Sequence, residues 1–139
     1  MIKLVYRGRT VVAIIEFPNN RILLVKRATK PFVHYWALAG GRVEVSETVE
    51  QAILREVKEE TGLDVEIVDK IGEYHEKGSQ DGIEYDYHPA CFLTKPIGGK
   101  IKRQEAEIER IKLFGLNRLP KKLAFEHAHM IQDYIIRAR

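Results

Sequence analysis

Short apolar runs separated by turn residues mark the first third of the chain. Val11 to Phe17 is a mostly apolar run rich in β-branched residues, which predicts a buried strand. Pro18-Asn19-Asn20 predicts a turn and Arg21 to Arg27 a second strand, so the two strands should form a hairpin. Trp36 to Ala39 predicts a short strand that ends in a turn at Gly40-Gly41.

The periodicity changes to that of a helix between Thr48 and Thr61. Helix-forming residues fill this stretch, and proline is absent from it. Its apolar side chains recur at helical spacing, at Val49, Ala52, Ile53 and Val57. Thr48 and Ser46 are candidate N-terminal caps, and Gly62 is a suitable residue for ending the helix. One face of this helix should therefore be buried while the opposite face stays polar.

Three further strands are predicted, at Asp64 to Ile71, Ile83 to Thr94 and Ile108 to Phe114. A polar loop is predicted from Glu73 to Gly82, and a turn at Gly98-Gly99. Pro89 lies inside the second of the three strands and favours a bulge or an edge position for it, because proline cannot donate a backbone hydrogen bond.

The last stretch, Phe125 to Ala138, predicts a closing amphipathic helix. Its inward positions are predicted to be Phe125, Ala128, Ile131 and Ile135. His127 and His129 either face a bound nucleobase or lie on the exposed side of this helix, and the second interpretation is favoured. Strands, a helix, more strands and a final helix indicate a mixed sheet with helices on its faces, an α/β or α+β sandwich. The 139 residues suit one domain.

Composition excludes several classes of protein. The 45% apolar and 31% charged content is typical of soluble globular chains, and a net charge of +3 is too small to indicate nucleic-acid binding. No apolar run is long enough to span a bilayer, so no membrane association is predicted and a cytoplasmic location is expected. Cys91 is the single cysteine, so no disulfide is expected within the chain.

Charge is unevenly distributed along the chain. Residues 41–63 contain six glutamates against Arg42, Arg55 and Lys58, a local balance of −3 that leaves +6 for the remainder. An acidic pocket within a basic surface suits a metal site that receives an anionic substrate. Ordinary scatter of charge is the alternative interpretation.

Three glutamates of the predicted helix are candidate metal ligands. Glu56, Glu59 and Glu60 are spaced i, i+3 and i+4, so they crowd one face and repel at a cost of a few tenths of a kcal/mol per pair. A set of oxygen ligands suits Mg²⁺ or Mn²⁺ rather than zinc. The alternative is a Glu-rich helix face that is simply solvated.

The stretch from Gly41 to Leu63 resembles the Nudix box of the Nudix hydrolases. That box reads Gly, five residues, Glu, seven residues, then Arg-Glu-apolar-any-Glu-Glu-any-Gly-apolar. The chain matches it without a gap at Gly41, Glu47, Arg55, Glu56, Val57, Glu59, Glu60, Gly62 and Leu63. Ala39 departs from the Leu-Pro-Gly-Gly that commonly precedes the box. The resemblance implies a Nudix-type α/β/α sandwich with a mixed sheet, and metal-dependent hydrolysis of a nucleoside diphosphate linked to another group.

The resemblance also implies roles for individual residues. Glu56, Glu59 and Glu60 would hold Mg²⁺ or Mn²⁺, with the Gly40 carbonyl as a candidate fourth ligand. Arg55 would orient carboxylates through a bidentate pair with Glu47 or Glu59, the alternative being a plain i,i+4 partner of Glu59. Glu47 would be a support rather than a ligand.

The general base and the substrate contacts are less specifically marked. Glu105, Glu107 and Glu109 are candidates for the base, and Glu109 is favoured because it lies just before the core of a strand; surface glutamates are the alternative. The resemblance suggests Arg27 as a phosphate contact, or else a solvated strand end. Gly40 and Gly41 would allow close approach of the substrate. Tyr85, with Tyr87 and His88, would contact a sugar or base unless these side chains belong to the core.

The stretch from Leu119 to His127 resembles the corresponding segment of several ADP-ribose-type Nudix enzymes. A small-molecule nucleotide substrate, namely a nucleoside diphosphate sugar such as ADP-ribose, is therefore predicted. The alternatives are MutT-like cleavage of modified nucleoside triphosphates to the monophosphate and pyrophosphate, and a non-catalytic nucleotide-sensing module. The intact carboxylate set argues against the last of these. A homodimer is left open.

Overall fold

The computed structural model describes residues 4–137. Its elements in chain order are β1 (Leu4–Phe17), β2 (Arg21–Arg27), β3 (Trp36–Ala37), β4 (Ala39–Arg42), α1 (Val49–Thr61), β5 (Leu63–Glu73), β6 (Glu76–Gln80), β7 (Ile83–Gly99), β8 (Ile108–Gly115) and α2 (His127–Arg137). Neither of these helices, of 13 and 11 residues, is long and apolar enough to cross a membrane.

Strand β1 is the centre of a mixed sheet of order β3-β2-β1-β7-β5. It runs parallel to β7 over twelve register pairs, and the other pairings between the named strands are antiparallel. The predicted hairpin is present, with Glu16 opposite Ile22. Three further strands extend the sheet: β4 pairs with β1, β6 with β7, and β8 with β2.

The alternation of side chains along β1 builds the two sides of the sandwich. Val11, Ala13 and Ile15 enter one core cluster, which also contains Ala52, Ile53 and Val57 of α1. Val12 and Ile14 enter a second cluster with Met130, Ile131 and Tyr134 of α2. Each helix therefore covers one face of the sheet, which confirms the predicted α/β class.

Helix α1 has the ends that its sequence predicts. Thr48 is the N-cap and forms a capping box with Gln51, while Ser46 lies outside it. Gly62 ends the helix at φ 80°, a left-handed conformation that glycine adopts without a steric penalty. The helix is thus defined by local signals as well as by its packing.

Several predicted loops and turns are instead strands. The segment Glu73 to Gly82 contains strand β6. Its residues are polar and only Glu76 of the strand is buried, so no apolar alternation predicts a strand there. Gly98 and Gly99 end β7 opposite β5 rather than forming a turn. Gly40 and Gly41 belong to β4 and pair with β1. At Gly40 a Cβ would lie 2.0 Å from the Val11 carbonyl oxygen, so glycine serves close strand approach there.

Pro89 lies on an inner strand, so the edge position, one of its two predicted alternatives, is wrong. Strand β7 lies between β1 on one side and β5 and β6 on the other. The Pro89 carbonyl accepts a hydrogen bond from the Tyr74 amide, in the break between β5 and β6. The N and C=O of a strand residue point to the same side, so the nitrogen of Pro89 also points to the break between β5 and β6. The N–H that proline lacks would therefore not have bonded to either of these strands.

The closing helix begins later than its apolar pattern indicates. Phe125 precedes it with φ 51°, and α2 starts at His127. Ala128 is exposed, whereas Met130, Ile131 and Tyr134 are buried. His127 is also buried, at 3% exposure, so its predicted exposed position is wrong; His129 is exposed as predicted. Ala138, the predicted end, lies outside the described residues.

Candidate active site

A cavity of about 600 Å³ opens where β1, β4 and α1 meet. This volume suits a nucleotide-sized ligand. Its charged lining residues are Arg27, Lys30, Arg42, Glu44, Arg55, Glu56, Glu59, Glu60, Glu76 and Glu107. The three glutamates singled out on α1 therefore face a cavity rather than open solvent alone.

Arg55 connects the carboxylates on the α1 side of this cavity. It forms a bidentate pair with Glu47, with Nε–Oε2 at 2.7 Å and Nη2–Oε1 at 2.9 Å. Nη1 donates to Glu56 Oε1 at 2.9 Å and more weakly to Glu59 Oε2 at 3.3 Å. Nη2 also donates to the Arg42 carbonyl at 2.9 Å. The planar fork thus bonds five acceptor atoms on four residues at once, which a simple i,i+4 pair with Glu59 would not require.

Two glycines of β4 position the deeper carboxylates. The Gly40 amide donates to Glu60 Oε1 at 2.9 Å, and Glu60 is only 7% exposed. A Cβ at Gly41 would lie 2.4 Å from Cδ of Glu56 and 2.5 Å from both of its oxygens. The absent side chain at Gly41 therefore leaves the space that the Glu56 carboxylate occupies.

Burial makes the charged forms of the Glu56 and Glu60 carboxylates less stable than they would be in water. The pKa of Glu60 is raised to about 8, chiefly by burial and also by repulsion from Glu56 and Glu107, while the hydrogen bond from Gly40 opposes the shift. Burial also raises the pKa of Glu56 to about 7, although Arg55 opposes that shift. A divalent cation among these oxygens would offset the cost. Because the donor set consists of oxygens, the residues present fit Mg²⁺ or Mn²⁺.

Replacing Gly41 by Ala should lower kcat by about tenfold, ~1.4 kcal/mol, because the new methyl group displaces the Glu56 carboxylate. The thermal midpoint should change little, since the clashing atoms are the end of a flexible side chain. Steady-state hydrolysis rates and thermal unfolding check both points.

Gly98→Ala is the matched control, because a Cβ there meets Asp64 Oδ2 at an ordinary 3.6 Å. It should retain wild-type kcat. A Gly41→Ala enzyme as fast as Gly98→Ala would show that the position of the Glu56 carboxylate does not matter.

Another part of the cavity wall combines a guanidinium with aromatic rings. The Arg27 guanidinium carbon lies 5.2 Å from the Phe125 ring centroid, and Nε donates to the Pro31 carbonyl at 2.8 Å. Tyr87 lines the same cavity and is 9% exposed. Burial lowers the pKa of Arg27, but an arginine stays protonated at neutral pH. Arg27 is thus a fixed positive charge in the cavity.

His127 and Glu76 are two polar residues of the cavity whose burial the sequence patterns do not predict. The Leu38 amide donates to Nδ1 of His127 at 3.0 Å, and burial lowers the pKa of this histidine to about 3. Its proton is therefore on Nε2, 3.9 Å from Oε2 of Glu76. Burial raises the pKa of Glu76 to about 7, and its Oε2 accepts from the Glu126 amide at 3.0 Å.

Two predicted site residues lie elsewhere. Glu109 does not line the cavity; it pairs with His34 and lies 3.9 Å from Lys26. Glu107, the other nearby candidate, does line it. Tyr85 packs against Phe32 and Phe125 with ring centroids at 5.6 and 5.2 Å, behind the cavity surface. Tyr87, which was predicted together with Tyr85, does line the cavity.

Comparisons with known proteins agree with this arrangement. A family model described as NUDIX domain matches residues 6–134. The chain is 42% identical over 118 residues to the ADP-ribose pyrophosphatase of Methanocaldococcus jannaschii, covering 84% of this chain and 67% of that protein. It is 30% identical over 124 residues to a MutT-like protein of Streptomyces ambofaciens, covering 89% and 74%. The crystal structure of a MutT NUDIX hydrolase from Burkholderia pseudomallei superposes with a TM-score of 0.82 at 26% identity, covering 91% of this chain and 97% of that one.

Proposed function

The chain belongs to the Nudix hydrolase family, and on that premise we propose that it cleaves the pyrophosphate of a nucleoside diphosphate linked to a second group, with ADP-ribose as the preferred substrate. The observation that carries this proposal is one cavity that combines the carboxylates of Glu56, Glu59 and Glu60 with the Arg27–Phe125 pair. Carboxylates suit the cations that accompany a diphosphate, and an aromatic ring with a guanidinium suits a base and a phosphate.

In this proposal Glu56, Glu59 and Glu60 hold Mg²⁺ or Mn²⁺, with the Gly40 carbonyl as a further ligand. When bound, the ion offsets the charge of the diphosphate and acidifies the attacking water. Arg55 keeps the carboxylates in place through its bonds to Glu47, Glu56 and Glu59. Glu47 thus acts through Arg55 and not as a ligand.

The reaction exchanges one P–O bond for another. The water oxygen bonds to one phosphorus, the bond from that phosphorus to the bridging oxygen breaks, and the bridging oxygen leaves on the other phosphate. The proton lost by the water passes to a carboxylate. We assign this role to Glu107 in place of Glu109, because Glu107 lines the cavity near Glu56 and Glu60 whereas Glu109 is paired with His34.

Glu107→Gln should lower kcat by at least about a hundredfold, in line with the typical contribution of a general base. Glu109→Gln is the matched control two residues away and should stay close to wild type. Both are exchanges of a carboxylate for an amide of the same size, so rates can be compared directly. A larger loss in Glu109→Gln than in Glu107→Gln would overturn the assignment.

The choice of ADP-ribose rests on the relatives and on the Leu119 to His127 segment. The relative at 42% identity is an ADP-ribose pyrophosphatase, while the MutT-like protein is 30% identical. In the structure this segment contributes Phe125 and His127 to the cavity wall. The segment that resembles ADP-ribose-type enzymes thus contributes to the wall of the cavity that we propose as the substrate site, which supports this choice.

We expect kcat/KM for ADP-ribose to exceed that for 8-oxo-dGTP by at least about tenfold, since specificity is the ratio of these constants. Parallel assays with Mg²⁺ measure it, with AMP and ribose 5-phosphate as the products from ADP-ribose. A preference for the triphosphate, with inorganic pyrophosphate released, would favour the MutT-like alternative. Absence of turnover on a broad nucleotide panel would contradict both.

A further inference from the structure

Two imidazoles and one carboxylate meet on the surface, outside the cavity. Nε2 of His75 lies 2.6 Å from Oδ1 of Asp86, and Nε2 of His88 lies 3.8 Å from the same oxygen. The two imidazole rings are stacked, with centroids 4.4 Å apart and planes 7° from parallel. One ligand atom from each residue lies within 4.8 Å of the other two.

The sheet fixes the positions of all three residues. Asp86 and His88 are alternate residues of β7, so their side chains project to the same face, opposite to that of Tyr87. His75 lies in the break between β5 and β6, next to Glu76, which is in register with Tyr87. The cluster therefore lies on the other side of β7 from the Tyr87 wall of the cavity.

We propose that His75, Asp86 and His88 form a second metal site that binds Zn²⁺ in preference to Mg²⁺. Two imidazole nitrogens and a carboxylate oxygen are a ligand set that zinc uses, with water in the fourth position. Mg²⁺ prefers oxygen ligands alone, so it belongs with the α1 carboxylates and not here. This site is independent of the proposed hydrolysis.

A simple hydrogen-bonded pair would account for only part of this arrangement. The bond between His75 and Asp86 needs two residues, yet His88 places a second Nε2 toward the same carboxylate oxygen. The three side chains are 53%, 29% and 61% exposed, so a cation can reach them from solvent and water can complete its coordination. Small side-chain rotations would bring the ligand atoms to the ~2 Å bonds that zinc makes.

A bound ion would also join two parts of the fold. His75 belongs to the connection between β5 and β6, and the other two ligands belong to β7. An ion that binds only the folded chain stabilises it by mass action. Zinc should therefore raise the thermal midpoint, as well as bind.

The test is a zinc titration of the full chain, freed of metal by chelation and dialysed into excess Mg²⁺. Calorimetry gives the number of zinc ions bound, and NMR of the imidazole nitrogens shows which histidines respond. His88→Ala and Asp86→Asn each change one of the proposed ligands. His34→Ala is the matched control, because His34 is an exposed histidine that pairs with Glu109 and does not belong to the cluster.

We expect the wild type and His34→Ala to bind zinc with shifts of the His75 and His88 Nε2 resonances and a rise in the thermal midpoint. Both ligand variants should bind at least about tenfold more weakly, since even outer-shell losses cost that much. Equal affinity and stoichiometry in His88→Ala and the wild type would overturn the proposal, as would imidazole resonances unmoved by zinc. Because binding is read without turnover, this result is separate from any failure to hydrolyse ADP-ribose.

Discussion

Glu60→Gln is expected to lower kcat by about a thousandfold, ~4 kcal/mol, while leaving the fold intact. An amide oxygen can still accept the hydrogen bond from Gly40, and the side-chain volume hardly changes. The substitution removes the negative charge of the buried Glu60 carboxylate, which we propose as a metal ligand. Steady-state kinetics across a range of Mg²⁺ concentrations measure the effect, with far-ultraviolet circular dichroism as the check on folding.

Glu50→Gln is the matched control, because Glu50 is exposed in the first turn of the same helix. It should keep wild-type kcat and metal dependence. Turnover of Glu60→Gln at the wild-type rate, or full wild-type activity in excess EDTA, would contradict the metal assignment. Glu59 is the more exposed of the proposed ligands, so Glu60 gives the sharper test.

Glu60→Gln should also change how the free energy of unfolding depends on pH. In metal-free protein the raised pKa values of Glu60 and Glu56, about 8 and 7, mean that the folded chain holds more protons than the unfolded chain above about pH 5. The free energy of unfolding from these two groups therefore falls as pH rises from about 5 to 8. Glu60→Gln should flatten that decline in EDTA, and Mg²⁺ should flatten it in the wild type. An equal slope in all three samples would contradict the burial argument.

Arg55→Lys is expected to lower kcat by about a hundredfold, ~2.7 kcal/mol. Lysine keeps the positive charge but cannot reproduce the fork that bonds Glu47 in two places while also reaching Glu56 and the Arg42 carbonyl. Hydrogen bonds to charged groups are each worth about 1.5–3 kcal/mol, so the net loss of one such bond accounts for the figure. Steady-state kinetics with saturating Mg²⁺ give the value.

Arg118→Lys, in an exposed position after β8, controls for the exchange of side chain itself and should be neutral. The Mg²⁺ concentration for half-maximal rate should rise in Arg55→Lys, because Glu56 and Glu59 lose their common donor. Equal rates and equal metal dependence in the two variants would reduce Arg55 to a solvated partner of Glu59.

The parts of the site that depend on one helix could be predicted from the sequence. Helical spacing predicts that Glu56, Glu59 and Glu60 lie on one face of α1, and all three line the cavity. Local capping chemistry predicts that the helix begins after Thr48 and ends at Gly62. They involve residues a few positions apart, whose relative placement is settled once the helix forms.

The choice between Glu107 and Glu109 could not be predicted in that way. Strand β8 begins at Ile108, and its register against β2 shifts between Lys26 and Arg27. Which glutamate turns toward the cavity depends on this irregular pairing of distant segments. The spacing of residues 105–114 in the sequence does not indicate this irregular pairing.

Buried polar residues escaped prediction for a related reason. Periodicity treats histidine and glutamate as solvent-facing, so His127 and Glu76 were assigned to exposed or loop positions. Their burial is tolerated because Leu38 and Glu126 donate backbone hydrogen bonds to them. Both donors belong to other segments, so the compensation is visible only in the folded chain.

The parallel pairing of β1 with β7 has a consequence for how the chain acquires its structure. Its partners, from Leu4 with Ile83 to Ile15 with Thr94, are about 80 positions apart. Closing so long a loop costs entropy before any strand contact compensates for it, which slows folding. During synthesis, most of the chain is made after β1 and before the pairing with β7 can form. The hairpin with β2, the pairing with β4 and the packing of α1 on one face of β1 are all available earlier, and they protect β1 from association with other chains.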